Sequence, residues 1–142
     1  ILAAEFHQAL TEPLVRGAMR ILQRAGASPR AIRVLRVPGA FELPVVAARI
    51  AARRPRPDAI VAVGALIRGD TPQYAVIAEG VAHGLSEVTV RTGVPVGFGV
   101  IVADTLGQAT ARAGGAQGNR GEEAARAVLD VLRVFDHLGG PS

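Results

Sequence analysis

Lysine and cysteine are both missing from this 142-residue chain. All 16 basic residues are arginine, which excludes a lysine Schiff-base mechanism, a pyridoxal-phosphate lysine and a P-loop lysine together. Without cysteine there are no disulfides and no thiolate chemistry, and the cytoplasm is the default location. Tryptophan is absent, Tyr74 is the only tyrosine, and the arginines are scattered rather than clustered. Nucleic-acid binding needs a basic face interleaved with aromatics, so the formal charge of +4 does not point to it. No apolar run reaches the ~18 residues of a membrane span, and no secretory signal is visible. Neither a G-x-G-x-x-G nor a Walker pattern occurs, which leaves the usual nucleotide sites without support. The chain opens at Ile1 rather than Met, inside an apolar segment, so a few preceding residues are expected.

What is present suits a packed core. Apolar residues make up 49% and charged residues 20%, consistent with one folded domain over residues 1–142. Ile1 to Ala4 reads as a strand end leading into Glu5-Phe6-His7. Thr11-Glu12-Pro13 then carries the marks of a helix start, with a hydroxyl cap and a proline in the first turn. Leu14, Val15, Ala18, Met19 and Leu22 recur at helical spacing, and Gly26 ends that element. A second strand is expected over about 32–37 and a second helix over 43–54. Residues 59–66 are apolar throughout, the pattern of a central parallel strand covered on both faces. A polar loop at 67–73 precedes a long helix to Thr92, with Val76, Ala82 and Val88 expected inward. A fourth strand follows at 95–102. Asp104 is expected to cap a short helix to Arg112, and a glycine-rich connection leads to a last helix at 122–137.

The alternation predicts an α/β fold. It is a three-layer α-β-α sandwich around a four-stranded, mostly parallel sheet, flavodoxin-like in appearance. Ligands of such sheets bind beyond the carboxyl ends of the strands. The segments at that edge are Phe6-His7, residues 38–42, residues 67–73 and Ala103-Asp104. Of these, Ile67 to Tyr74 joins a buried strand to a helix start through a glycine-bearing loop. It can offer backbone N–H groups and a helix N-terminus to an anion. Read locally, it is an ordinary strand-to-helix connection capped by Asp70 or Thr71, and the rest of the chain must decide for the anion site.

Several blocks in register resemble one family. They are Val37-Pro38-Gly39-Ala40-Phe41-Glu42-Leu43-Pro44, Gly64 through Tyr74, Thr92-Gly93-Val94-Pro95, and Ala103-Asp104-Thr105-Leu106-Gly107-Gln108-Ala109. Arg112-Ala113-Gly114 and Gly118-Asn119-Arg120-Gly121-Glu122 continue the series. The chain resembles the lumazine synthases, which make the riboflavin precursor dimethylribityllumazine. The resemblance implies condensation of a ribityl-bearing aminopyrimidine with a four-carbon ketone phosphate. The imine forms between the two substrates, so no enzyme lysine, metal or cofactor is implied. In that reading Phe6 stacks on the pyrimidine and His7 stands where the family usually has asparagine. Ala40, Phe41 and Glu42 line the ribityl and pyrimidine pocket, and Ala65, Leu66 and Ile67 supply backbone contacts. Gly69, Asp70 and Thr71 bind phosphate through amides and a hydroxyl. Phe98 and Arg112 come from a neighbouring subunit, with Arg112 gripping phosphate, and Arg120 replaces a usual lysine.

One departure is chemical. Gln73 occupies the position of the family's proton-transferring histidine, and a glutamine cannot titrate near neutral pH. The alternative to an enzyme is therefore an impaired paralogue that binds flavin or lumazine, or builds a shell. The family assembles as pentamers, some of which form a sixty-subunit icosahedral shell. The short connection 113–121 is like that of shell-forming members. The expected partners are the two small substrates and further copies of the chain, with no nucleic acid and no membrane.

Overall fold

Strand β3, Ile60–Ile67, is the axis of the sheet, paired on one side with β1 (Leu2–Ala4) and on the other with β4 (Val96–Ala103). Strand β2, Leu35–Val37, adds beyond β1, giving the order β2-β1-β3-β4 with every pairing parallel. The computed structural model describes residues 1–139, so the last three residues of the expected 1–142 span lie outside the described residues. Alternate residues of β3 face opposite ways, as a strand's period of two demands. Val61, Val63 and Ala65 join a core with helices α1 (Gln8–Arg24), α4 (Leu106–Arg112) and α5 (Arg120–His137). Ile60 and Ala62 face the other core, with α2 (Leu43–Ala51) and α3 (Gln73–Thr92). The three-layer α/β sandwich is the one that the alternation predicts. No described helix is long and apolar enough to cross a membrane.

Local boundaries differ where tertiary contacts outweigh local signals. Helix α1 begins at Gln8, so Thr11 is not its cap. Thr11 is fully buried inside the helix, its hydroxyl donating to the His7 carbonyl at 3.3 Å. The second strand is shorter than expected because its pairing with β1 begins only at Leu35, opposite Leu2; a 3₁₀ turn, Pro29–Ala31, lies before it and another, Ala40–Glu42, precedes α2. The inward stripe of α3 is Ile77, Val81, Leu85 and Val88, whereas Val76 is 68% exposed and Ala82 is exposed as well.

Thr105, not Asp104, caps α4, accepting from the Gln108 N–H at 3.1 Å. The Gln108 side chain reaches back to the Asp104 N–H at 2.9 Å, a variant of the reciprocal capping box. The glycine-rich connection is a small antiparallel hairpin, β5 (Ala113–Gly115) with β6 (Gly118–Asn119). Asn119 then caps α5 through its Oδ1, which accepts from Gly121 and Glu122, while its amide donates to the Pro13 carbonyl at 3.0 Å. This one side chain ties α5 to α1.

Candidate active site

The carboxyl ends of β1, β2 and β3 open into a cleft of about 370 Å³. Its walls are Phe6 and His7 after β1, Gly39 to Glu42 after β2, and Ala65, Leu66, Ile67, Gly69 and Thr71 at the end of β3. Gln73, Tyr74 and Ile77 from α3 complete it. Phe6 is 68% exposed and Phe41 is 63% exposed, so neither ring serves the core; both are presented at the cleft. Small residues keep the walls in place. A Cβ on Gly64 would sit 3.1 Å from the Ala4 Cβ, and one on Gly39 would sit 3.1 Å from Glu42 Oε2.

Two helices start at this cleft without a side-chain cap, α1 after His7 and α3 after Pro72, whereas α2 runs on from the 3₁₀ turn before it, the Leu43 N–H donating to the Ala40 carbonyl. Helices α4 and α5, which start elsewhere, are both capped by side chains. An uncapped N-terminus leaves orphan N–H groups and a partial positive charge of about half a unit. The reading of 67–74 as a self-capped turn is thus excluded: neither Asp70 nor Thr71 caps α3. The convergence favours an anion.

His7 has φ 62° and ψ 49°, in the left-handed region. Histidine is among the non-glycine residues enriched in that region. The conformation costs of order 1–3 kcal/mol and persists where the surroundings over-determine it. At the rim, the Tyr74 O–H donates to Asp104 Oδ1 at 3.1 Å, and Arg68 Nη1 stands 3.9 Å from the same oxygen. The hydrogen bond to Asp104 raises the Tyr74 phenol above its ordinary value. Asp104 therefore braces the start of α3 against the end of β4.

The structure brings together Phe6, His7, Ala40, Phe41, Glu42, Ala65, Leu66, Ile67, Gly69, Thr71 and Gln73. It does not bring Asp70, Phe98, Arg112 or Arg120 to the cleft wall. Phe98 lies on the edge strand β4 opposite Ala62, 40% exposed. Arg112 ends α4 and is exposed, and Arg120 opens α5, 3.0 Å from Glu123. Gly39 and Tyr74, which fall in segments expected at this edge but carry no expected role there, also line the cleft, as does Ile77 beyond them. Tyr74 and Ile77 follow Gln73 by one residue and one helical turn, a signal that the helix start alone could have supplied.

A family model described as 6,7-dimethyl-8-ribityllumazine synthase matches residues 1–136. A protein of that name from Gemmatimonas aurantiaca is 49% identical over 136 residues, covering 96% of this chain and 82% of the relative. One from Nitratidesulfovibrio vulgaris is 41% identical over 138 residues, covering 97% of this chain and 88% of the relative. One from Aquifex aeolicus is 43% identical over 138 residues, covering 97% and 89%. With the match running from the first strand to the last helix, across every wall of the cleft, the chain belongs to the 6,7-dimethyl-8-ribityllumazine synthase family.

Proposed function

We propose that this chain is a transferase of riboflavin biosynthesis that forms 6,7-dimethyl-8-ribityllumazine. Its substrates are a ribitylaminouracil and a dihydroxybutanone phosphate, and phosphate and water are released. The observation that carries the reading, beside the family, is the cleft itself. It sets exposed aromatic faces beside two uncapped helix starts, which suits a flat heteroaromatic ring at one end and a phosphate at the other. Phe6 stacks on the pyrimidine. Phe41 and Ala40 flank the ribityl chain, and the Glu42 carboxylate accepts from its hydroxyls. His7 borders the same ring, and the backbone of Ala65, Leu66 and Ile67 meets the pyrimidine edge. Gly69 and Thr71, which line the cleft, hold the phosphate through their amides and the threonine hydroxyl, while Asp70 between them lies off the wall.

The mechanism needs little beyond placement. The pyrimidine amine attacks the ketone carbon, an imine forms between the substrates, phosphate leaves and the ring closes with loss of water. Holding two reactants in attacking geometry is worth roughly 7–11 kcal/mol. Acid–base assistance contributes typically about 10²–10⁴-fold, a smaller term. Gln73 at the mouth of α3 can donate and accept hydrogen bonds to the reacting groups, which orients them without moving a proton.

The cleft is incomplete in one chain. Its lining residues include no arginine, although the expected ligand is a phosphate. Arg112 and Phe98 of a neighbouring copy complete it, Arg112 as a planar fork on the phosphate, with Arg120 adding charge. The assembly is a homopentamer, with the icosahedral shell as its larger form, and a chain without cysteine suits the cytoplasm. Incubating the protein with both substrates and following the absorbance of the lumazine tests the reading. No product above the uncatalysed rate would sink it, and a monomer in light scattering would sink the shared site.

A further inference from the structure

His7 is the one non-glycine residue among those described with a positive φ, and it opens onto the cleft. Its backbone is locked in that conformation: its carbonyl accepts from the Leu10 N–H at 2.9 Å, the Thr11 N–H at 3.1 Å and the Thr11 hydroxyl at 3.3 Å. Its ring meets the Phe6 ring edge-on, with centroids 4.7 Å apart. Strained backbone at a ligand cleft points to a side chain that must be aimed. His7 is also the only imidazole on the cleft wall. His83 and His137 are exposed on α3 and at the end of α5.

The titratable groups sharing the cleft with His7 are Glu42, from the turn before α2, and Tyr74, from α3. On its own side, exposed Glu5 precedes it, and Glu12 in α1 is paired with Arg36 of β2. Histidine is the side chain whose ordinary titration falls in the neutral range, where proton transfer in both directions is efficient. Glu42 is an acceptor when ionised, and the Tyr74 hydroxyl is committed to Asp104.

We propose that His7 is the acid–base residue of the condensation, a role that rests on the function proposed above. When the amine nitrogen bonds to the ketone carbon, the carbonyl electron pair moves to oxygen. The neutral imidazole takes the proton from the ammonium nitrogen, and the resulting imidazolium gives it to that oxygen. A second passage of the same kind moves the remaining amine proton to the hydroxyl, the C–O bond breaks, and water leaves as the C=N bond forms. The imidazole ends as it began.

The test is the pH dependence of kcat and KM for His7→Asn and His7→Gly. Both residues accept the left-handed backbone, so a merely conformational role survives either change. The proposal expects kcat to fall about 10²-fold with KM changed only a few-fold, and the neutral limb of the pH profile to vanish. Added imidazole restores turnover to His7→Gly, and His7→Asn with Gln73→His restores the limb from the other wall. Wild-type kcat and an unchanged profile in His7→Asn overturn the proposal while leaving the enzyme reading intact. A wild type with no turnover overturns both.

Discussion

Replacing Arg112 by alanine tests whether a second copy of the chain completes the site. In its own chain Arg112 is the exposed last residue of α4 and forms no part of the cleft wall. A purely local surface role predicts no measurable change in kcat/KM. A guanidinium bound to phosphate predicts the loss of a charge-assisted hydrogen bond worth about 1.5–3 kcal/mol. That energy corresponds to a fall in kcat/KM for the ketone phosphate of about 10–150-fold, carried mainly by KM. The decisive form of the experiment is subunit mixing. Phe6→Ala disables the cleft half and Arg112→Ala the other half, so each assembly alone is weak. Reassembled at equal ratio, about a quarter of the head-to-tail contacts join an intact cleft to an intact arginine, and activity rises toward that fraction of wild type. Activity equal to the mean of the two parents, or wild-type kinetics in Arg112→Ala, refutes the shared site.

Asn119→Ala removes the α5 cap and the bond to the Pro13 carbonyl, and is expected to cost about 2–3 kcal/mol in chemical denaturation without altering KM. A Cβ on Gly121 would fall 2.1 Å from the Leu14 carbonyl oxygen, so Gly121→Ala is expected to abolish soluble folded protein. Gly107→Ala, whose nearest neighbour is the Thr105 hydroxyl at 3.9 Å, is expected to express normally. Arg20, 2.7 Å from Glu122 Oε1, holds that carboxyl below its ordinary range. The unfolded chain therefore takes up this proton first on acidification, so the pair's stability is present at neutral pH and lost as the pH falls through the depressed value. Denaturation midpoints between pH 7 and about 3 should show a smaller acid loss in Arg20→Ala than in wild type.

The layering was legible because β3 is apolar throughout and the helices alternate with strands, two signals that reinforce each other. The cleft walls were legible for a related reason: three of the four polar or glycine-bearing segments at the strands' carboxyl ends line it, while Ala103-Asp104 after β4 does not. The start of α1 was not. Thr11-Glu12-Pro13 is a good local cap signature, but the turn at His7 allows three earlier residues to join the helix and buries Thr11. The inward face of α3 is legible at Val88 but not at Val76 or Ala82, because its apolar residues run around the helix and packing chooses Ile77 over Val76. Glycine-rich residues 113–119 hid a hairpin, since glycine carries no side-chain alternation to read. Arg112 and Phe98 carry a further lesson. Neither lines the cleft of the chain itself, and the proposed function assigns both to a neighbouring copy.

The central claim is that this chain joins two small molecules into a lumazine. Its most direct test is the rate at which product absorbance appears when purified protein meets the ribitylaminouracil and the butanone phosphate. The expected result is a rate above the uncatalysed reaction, saturating in both substrates. A protein that binds the lumazine tightly yet leaves the uncatalysed rate unchanged contradicts it.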